Sequence, residues 1–109
     1  MTKIYALLQE FGITRCYKGY HHASYCIFLA VTDEYKLESV TKRIYSEAAV
    51  HFDCSWFAVE RNIRTISARA YKVNPILLRQ IAGYPLDSAP TASEFIAILA
   101  SHILRMQNP

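Results

Sequence analysis

A chain of 109 residues, 52% of them hydrophobic, has the length of one ordinary domain and enough apolar mass to bury a core. No uninterrupted apolar stretch approaches the roughly 18–20 residues that a membrane span needs, and Met1 to Tyr5 lead straight into a helical pattern rather than a signal peptide. A net charge of +3 neither demands nor excludes a nucleic-acid partner, and the absence of a Gly-rich phosphate loop, a G-x-S-x-G elbow and an H-E-x-x-H motif removes the common catalytic signatures.

The expectation is therefore a single soluble, cytoplasmic domain over residues 1–109 that is not an enzyme and carries no cofactor. Cys16, Cys26 and Cys54 form neither a C-x-x-C pair nor an even disulfide set, which fits a reducing compartment and small buried side chains. His51 and Cys54 lie three apart, but nothing nearby completes the roughly four ligands of a metal site.

In chain order, Ile4, Leu7, Leu8 and Phe11 mark a first amphipathic helix from Lys3 to Phe11 that stops at Gly12. The almost uncharged run from Tyr20 to Thr32 has the length of a buried central helix. From Leu37 the apolar positions Leu37, Val40, Ile44, Ala48 and Phe52 step by three or four, which predicts a third helix. It breaks in a tight turn at Asp53-Cys54-Ser55, where Ser55 can cap a new helix.

The fourth helix, over 55–72, places Val59, Ile63, Ile66 and Ala70 on one side and Arg61, Arg64, Thr65 and Ala68 on the other. By angle Trp56 falls on the apolar side, as core packing. Phe57 projects outward, where its exposure is unfavourable unless a partner or a thymine methyl covers it. Asn74-Pro75 open a fifth helix that stops at Gly83. After a loop of proline and polar residues, Thr91 and Glu94 form a capping-box pattern ahead of a sixth helix carrying Phe95, Ile98, Leu99, His102 and Ile103, and Arg105 to Pro109 should fray.

The result is an all-α fold of six helices. Its third and fourth helices, joined by a short turn, have the form of a helix-turn-helix whose second helix carries arginines away from the core. Arginine offers two parallel donors to the O6 and N7 acceptors of guanine in the major groove, which makes Arg61 and Arg64 candidate readers.

The chain also resembles the effector domain of the stage-zero sporulation regulator A family over nearly its whole length. The matching blocks are Leu7-Leu8-Gln9-Glu10 with Gly12-Ile13, Lys18-Gly19-Tyr20, Ser39-Val40-Thr41-Lys42 with Tyr45, and Val59-Glu60-Arg61 with Ile63-Arg64. Further along come Gly83-Tyr84 and Pro90-Thr91 with Ser93-Glu94-Phe95-Ile96-Ala97. The resemblance implies a transcription regulator that binds double-stranded DNA at boxes of the TGTCGAA type, as tandem homodimers, with an RNA polymerase sigma subunit as a further partner. It also implies base contacts from Glu60, Arg61 and Arg64. Glu60 suits a cytosine amino group, and Thr41, Lys42, Ser55 and Thr65 are candidates for positioning contacts to the DNA backbone.

Two departures point to an altered target: Ala58 stands where the family has a further arginine, and Trp56 and Phe57 stand where it has small residues. The segment from Arg69 to Gly83, which in the family includes the sigma-contacting surface, also differs. The family's phosphoacceptor receiver domain has no counterpart here. If the chain is complete, its control must come from expression, partners or competition for sites. The competing reading is a helical protein-interaction module that modulates a full-length relative without reading DNA.

Overall fold

The computed structural model describes residues 1–107; Asn108 and Pro109, part of the tail expected to fray, lie outside the described residues. The remainder of that tail departs from expectation, because Arg105, Met106 and Gln107 complete the last helix. Arg105 is anchored there, its Nη2 donating to the Ile81 carbonyl at 2.8 Å.

The first apolar repeat folds as α1 (Thr2–Glu10), which buries Ile4, Leu7 and Leu8. Gly12 follows at φ +71°, a left-handed conformation that glycine adopts without steric cost, and the Ile13 amide closes the turn on the Leu8 carbonyl at 3.0 Å. The uncharged run folds as α2 (Tyr20–Thr32), buried at Tyr20, Ala23, Ser24, Cys26, Ile27, Leu29 and Ala30. A helix apolar on so much of its circumference belongs in the middle of a helical protein. The buried Ser24 hydroxyl is satisfied by donating to the Tyr20 carbonyl at 2.7 Å.

Gly19, at the N-cap of α2, sits where that helix meets the one carrying Asn62 and Ile66. A Cβ at this position would lie 2.7 Å from the Asn62 carbonyl oxygen and 2.8 Å from Ile66 Cγ1. One of those neighbours is helical backbone, which cannot yield as a side-chain tip can. Gly19→Ala is therefore expected to destabilise by about 1–3 kcal/mol, read as a lower urea midpoint with an unchanged slope.

The third helix departs from the single regular rod expected between Leu37 and Phe52. A 3₁₀ segment (Glu34–Ser39) leads through Val40, at φ −59° and ψ −44°, into a π-helical turn (Thr41–Tyr45), and only then into α3 (Ser46–Phe52). The apolar spacing explains the change of winding. The three-residue step from Leu37 to Val40 suits a 3₁₀ turn, and the repeated four-residue steps to Ile44, Ala48 and Phe52 outrun an α-helix of 3.6 residues per turn. The wider π turn absorbs the excess and keeps Ile44 and Ala48 buried. Asp33 caps the start by accepting from the Tyr35 amide at 3.2 Å, and Lys36 pairs with Glu47 at 3.1 Å, bracing the 3₁₀ segment on α3.

α4 (Trp56–Val73) and α5 (Pro75–Ala82) meet at Asn74, whose side chain accepts from the Leu77 amide at 3.2 Å, and α5 ends on Gly83 at φ +78°. The sixth helix, α6 (Ala92–Gln107), opens with the capping box read from the sequence: the Thr91 amide donates to Glu94 Oε1, and the Glu94 amide donates to Thr91 Oγ1, each at 3.2 Å. The fold is all-α, six α-helices with the two tighter and wider segments between α2 and α3, and no strand among the described residues. α6 lies along α2, with α1, α4 and α5 also against it. One continuous core joins Leu8, Phe11, Ile27, Ile44, Ile63, Leu78, Phe95 and Leu99.

Candidate nucleic-acid interface

α3 and α4 are joined by Asp53, Cys54 and Ser55, the three-residue connection of a helix-turn-helix. Asp53 makes the corner in the left-handed region at φ 53° and ψ 55°, which a short polar side chain tolerates better than a branched one. Ser55 then caps α4, its Oγ accepting from the Ala58 amide at 3.2 Å.

α4 buries Val59, Ile63, Ile66, Ser67 and Ala70. Its opposite side is a continuous exposed stripe of Phe57, Arg61, Arg64, Thr65 and Ala68, at the i, i+4, i+7, i+8 and i+11 positions of one helical face. Other arginines are tied into the fold: Arg69 lies over the Tyr17 ring at 5.3 Å, and Arg79 lies over Tyr71 at 5.4 Å while donating to the Leu86 carbonyl and the Tyr71 hydroxyl. Arg61 carries no ion pair or side-chain hydrogen bond among the described residues; only its carbonyl is engaged, accepting from Thr65 Oγ1 at 3.2 Å. Arg64 meets Glu60 at 3.6 Å, with the two side chains 62% and 28% exposed. An exposed pair one turn apart contributes only about 0.3–0.5 kcal/mol, so it yields easily to a stronger partner.

Glu60 sits on the flank of α4 rather than on the outward stripe. It lines a polar cleft with Thr41, Tyr45, Thr91 and Ser93. The Tyr45 hydroxyl is buried there without a hydrogen-bond partner, and burial first, then nearby Cys26 and Glu60, hold its pKa above the ordinary tyrosine range. Of the residues read as backbone-positioning, Thr41, Lys42 and Thr65 are exposed and Ser55 is half-buried at the cap.

Trp56 overturns the expectation that it packs in the core, since it is 46% exposed. It is the first residue of α4, so although its angle matches the buried side, it stands at the very start of that face, three residues before Val59. It finds Phe57 instead, edge to face at 5.8 Å. Phe57 is 59% exposed and Val50, on α3, is 83% exposed. The sequence did carry a signal for Val50, an apolar β-branched residue off the stripe of Ile44, Ala48 and Phe52.

The cysteines also depart from expectation: Cys26 is buried, with its thiol pushed up to about 12 by burial and then by neighbouring Cys54, whereas Cys16 and Cys54 are exposed. Both exposed thiols lie in connections between helices rather than on inward helical faces. No cluster of three or more histidines, cysteines or carboxylates suited to a metal ion occurs among the described residues.

A histidine ties α4 to the centre of the fold. Asn62 Nδ2 donates to His22 Nδ1 at 3.1 Å, and the His22 ring lies 4.7 Å from that of Phe52. Burial, and then the charge of His21, lower the His22 pKa, and protonation would remove the acceptor that Asn62 uses. The unfolded chain takes up a proton near the ordinary value of 6.5 while the folded one resists, so the stabilisation is complete above that pH and lost as the pH falls through the lower folded value. Thermal melting is expected to show falling stability below about pH 6.5, with a shallower fall in His22→Gln.

The sequence matches the family described as sporulation initiation factor Spo0A C terminal across residues 4–103. The chain belongs to that family. The match spans every helix from α1 to most of α6, so it covers the helix-turn-helix and the cap that precedes it. The Spo0A C-terminal family is a helical DNA-binding module of sporulation and transcription regulation, and its role is regulatory rather than catalytic. No helix of the described residues is long and apolar enough to cross a membrane.

Proposed function

We propose that α4 enters the major groove of double-stranded DNA and that the chain, acting as a single domain in the cytoplasm, is a sequence-specific transcription regulator. The observation that carries this is the outward stripe of α4, where Arg61 has no competing partner among the described residues and Arg64 has only a weak one. Arg61 and Arg64 address the O6 and N7 acceptors of guanine. On contact Arg64 leaves Glu60, whose carboxylate then accepts from a cytosine amino group at the edge of the groove. Lys42, Thr41, Ser55 and Thr65 fix the register on phosphates, the amides at the start of α4 adding to Ser55. Ala58 supplies no side-chain donor, so the preferred sequence differs from, or is read less strictly than, the TGTCGAA-type box. Pairing of copies on tandem boxes and contact with a sigma subunit extend the same reading.

The test is fluorescence anisotropy of a labelled tandem TGTCGAA-type duplex and of a scrambled one across a salt series. Preference for the box, weakening with salt, supports the family's own target. Equal salt-sensitive binding to both means that the target is another sequence. No binding to either at low salt overturns the proposal and favours the helical protein-interaction module, for which the exposed Val50, Trp56 and Phe57 would be the contact surface.

A further inference from the structure

Phe57 lies on the same face of α4 as Arg61 and Arg64, one turn nearer the N-terminus. It is 59% exposed, yet it is not a loose side chain, because the neighbouring Trp56 ring meets it edge to face at 5.8 Å and 86°. Phenylalanine has neither donor nor acceptor, so it can discriminate bases only by apolar contact. The C5-methyl of thymine is the apolar group that base edges present in the major groove. The stripe that follows is basic, with Arg61 and Arg64 exposed and no carboxylate on it; Glu60 stands on the flank, paired with Arg64. The charge complementarity is with a polyanion, and the apolar residue leads the cationic ones into it.

Resting on the reading of α4 as the major-groove helix, we infer that Phe57 is a specificity-determining residue that selects thymine through its C5-methyl, next to the base pair read by Arg61, and that Trp56 is a positioning residue that holds the ring for this contact. The pair occupies the start of the reading helix where Ala58 offers no polar group. Part of the recognition is thereby carried by an apolar contact.

The experiment selects bound duplexes from a randomised pool and replaces each thymine of the enriched sequence, one at a time, by deoxyuridine, which removes only the methyl. One position is expected to lose affinity by about fourfold for the wild-type protein, the effect of one methyl-sized group removed from water. In Phe57→Ala the same replacement should make no difference, and that variant should enrich sequences with no thymine preference there. Phe57→Leu should keep part of the effect, and Trp56→Ala should reduce it while leaving the guanine preference lost in Arg61→Ala intact. Matching circular dichroism melts check that these exposed substitutions leave the fold unchanged. If every deoxyuridine duplex binds as well as its parent, the thymine assignment is overturned while the DNA-reading proposal stands. If the pool yields no enriched sequence, both fall together.

Discussion

Arg61→Ala is expected to lower affinity for the preferred duplex by about 1–3 kcal/mol, roughly 5- to 150-fold, and to relax the sequence requirement at one base pair. The argument rests on what Arg61 does not do in the free protein. Its guanidinium has no partner among the described residues, so removing it breaks nothing that holds α4 in place. Arg79, which donates to Leu86 and Tyr71, would lose tertiary structure on the same substitution and confuse the reading. Competition anisotropy with single-base variants of the duplex measures the effect. Lys42→Ala provides the contrast, because an exposed lysine before α3 that meets phosphate should weaken binding evenly across sequences and reduce the salt slope by about one. An Arg61→Ala loss that is equal on all duplexes would reassign the residue to the phosphates.

Phe95→Ala is expected to cost about 3–5 kcal/mol of folding stability, the range for deleting a buried aromatic ring. Phe95 is fully buried on α6, the helix against which α1, α2, α4 and α5 all pack. A cavity under α6 is not closed by shifting that helix, because it is held at both ends: Arg105 ties α6 to the end of α5 at 2.8 Å, and Ser67 of α4 donates to the Pro90 carbonyl just before α6 at 2.7 Å. Since domains of this size are stable by about 5–15 kcal/mol, the loss would leave a marginal protein. Urea unfolding followed by circular dichroism should show the midpoint fall with little change in slope. A loss below about 1 kcal/mol would mean that the core around Phe95 is far looser than its burial indicates.

Much of this architecture was legible in the residues. Capping chemistry located the ends of helices best: Ser55, Asn74 with Pro75, Gly83 and the Thr91–Glu94 box each mark a boundary that the hydrogen bonds reproduce. These are local interactions, written within four residues. The winding between Glu34 and Tyr45 was less legible, because the difference between one helix and a 3₁₀ segment followed by a π turn lies in steps of three against four, which a stripe pattern averages out.

At the candidate site, the separation of the α4 faces followed from angle alone, and so did the exposure of Phe57, Arg61 and Arg64. Angle failed for Trp56, because a helical wheel contains no information on how far along the axis the covering helices reach. Glu60 was visible as a charge but not as a residue of a side cleft, since that cleft is built from the π turn and the start of α6, far away in sequence. Cys54 could be placed in the turn, but its exposure depends on the left-handed corner at Asp53.

The most direct test of the central claim is a nuclear magnetic resonance titration with the preferred duplex, following backbone amides together with arginine Nε–H signals. The account predicts that the largest changes fall on the start of α4, at Ser55 to Thr65, with the Nε–H signals of Arg61 and Arg64 shifted and that of Arg79 unmoved. Changes centred instead on α1, α5 and the end of α6, with the Arg61 and Arg64 signals unmoved, would contradict it.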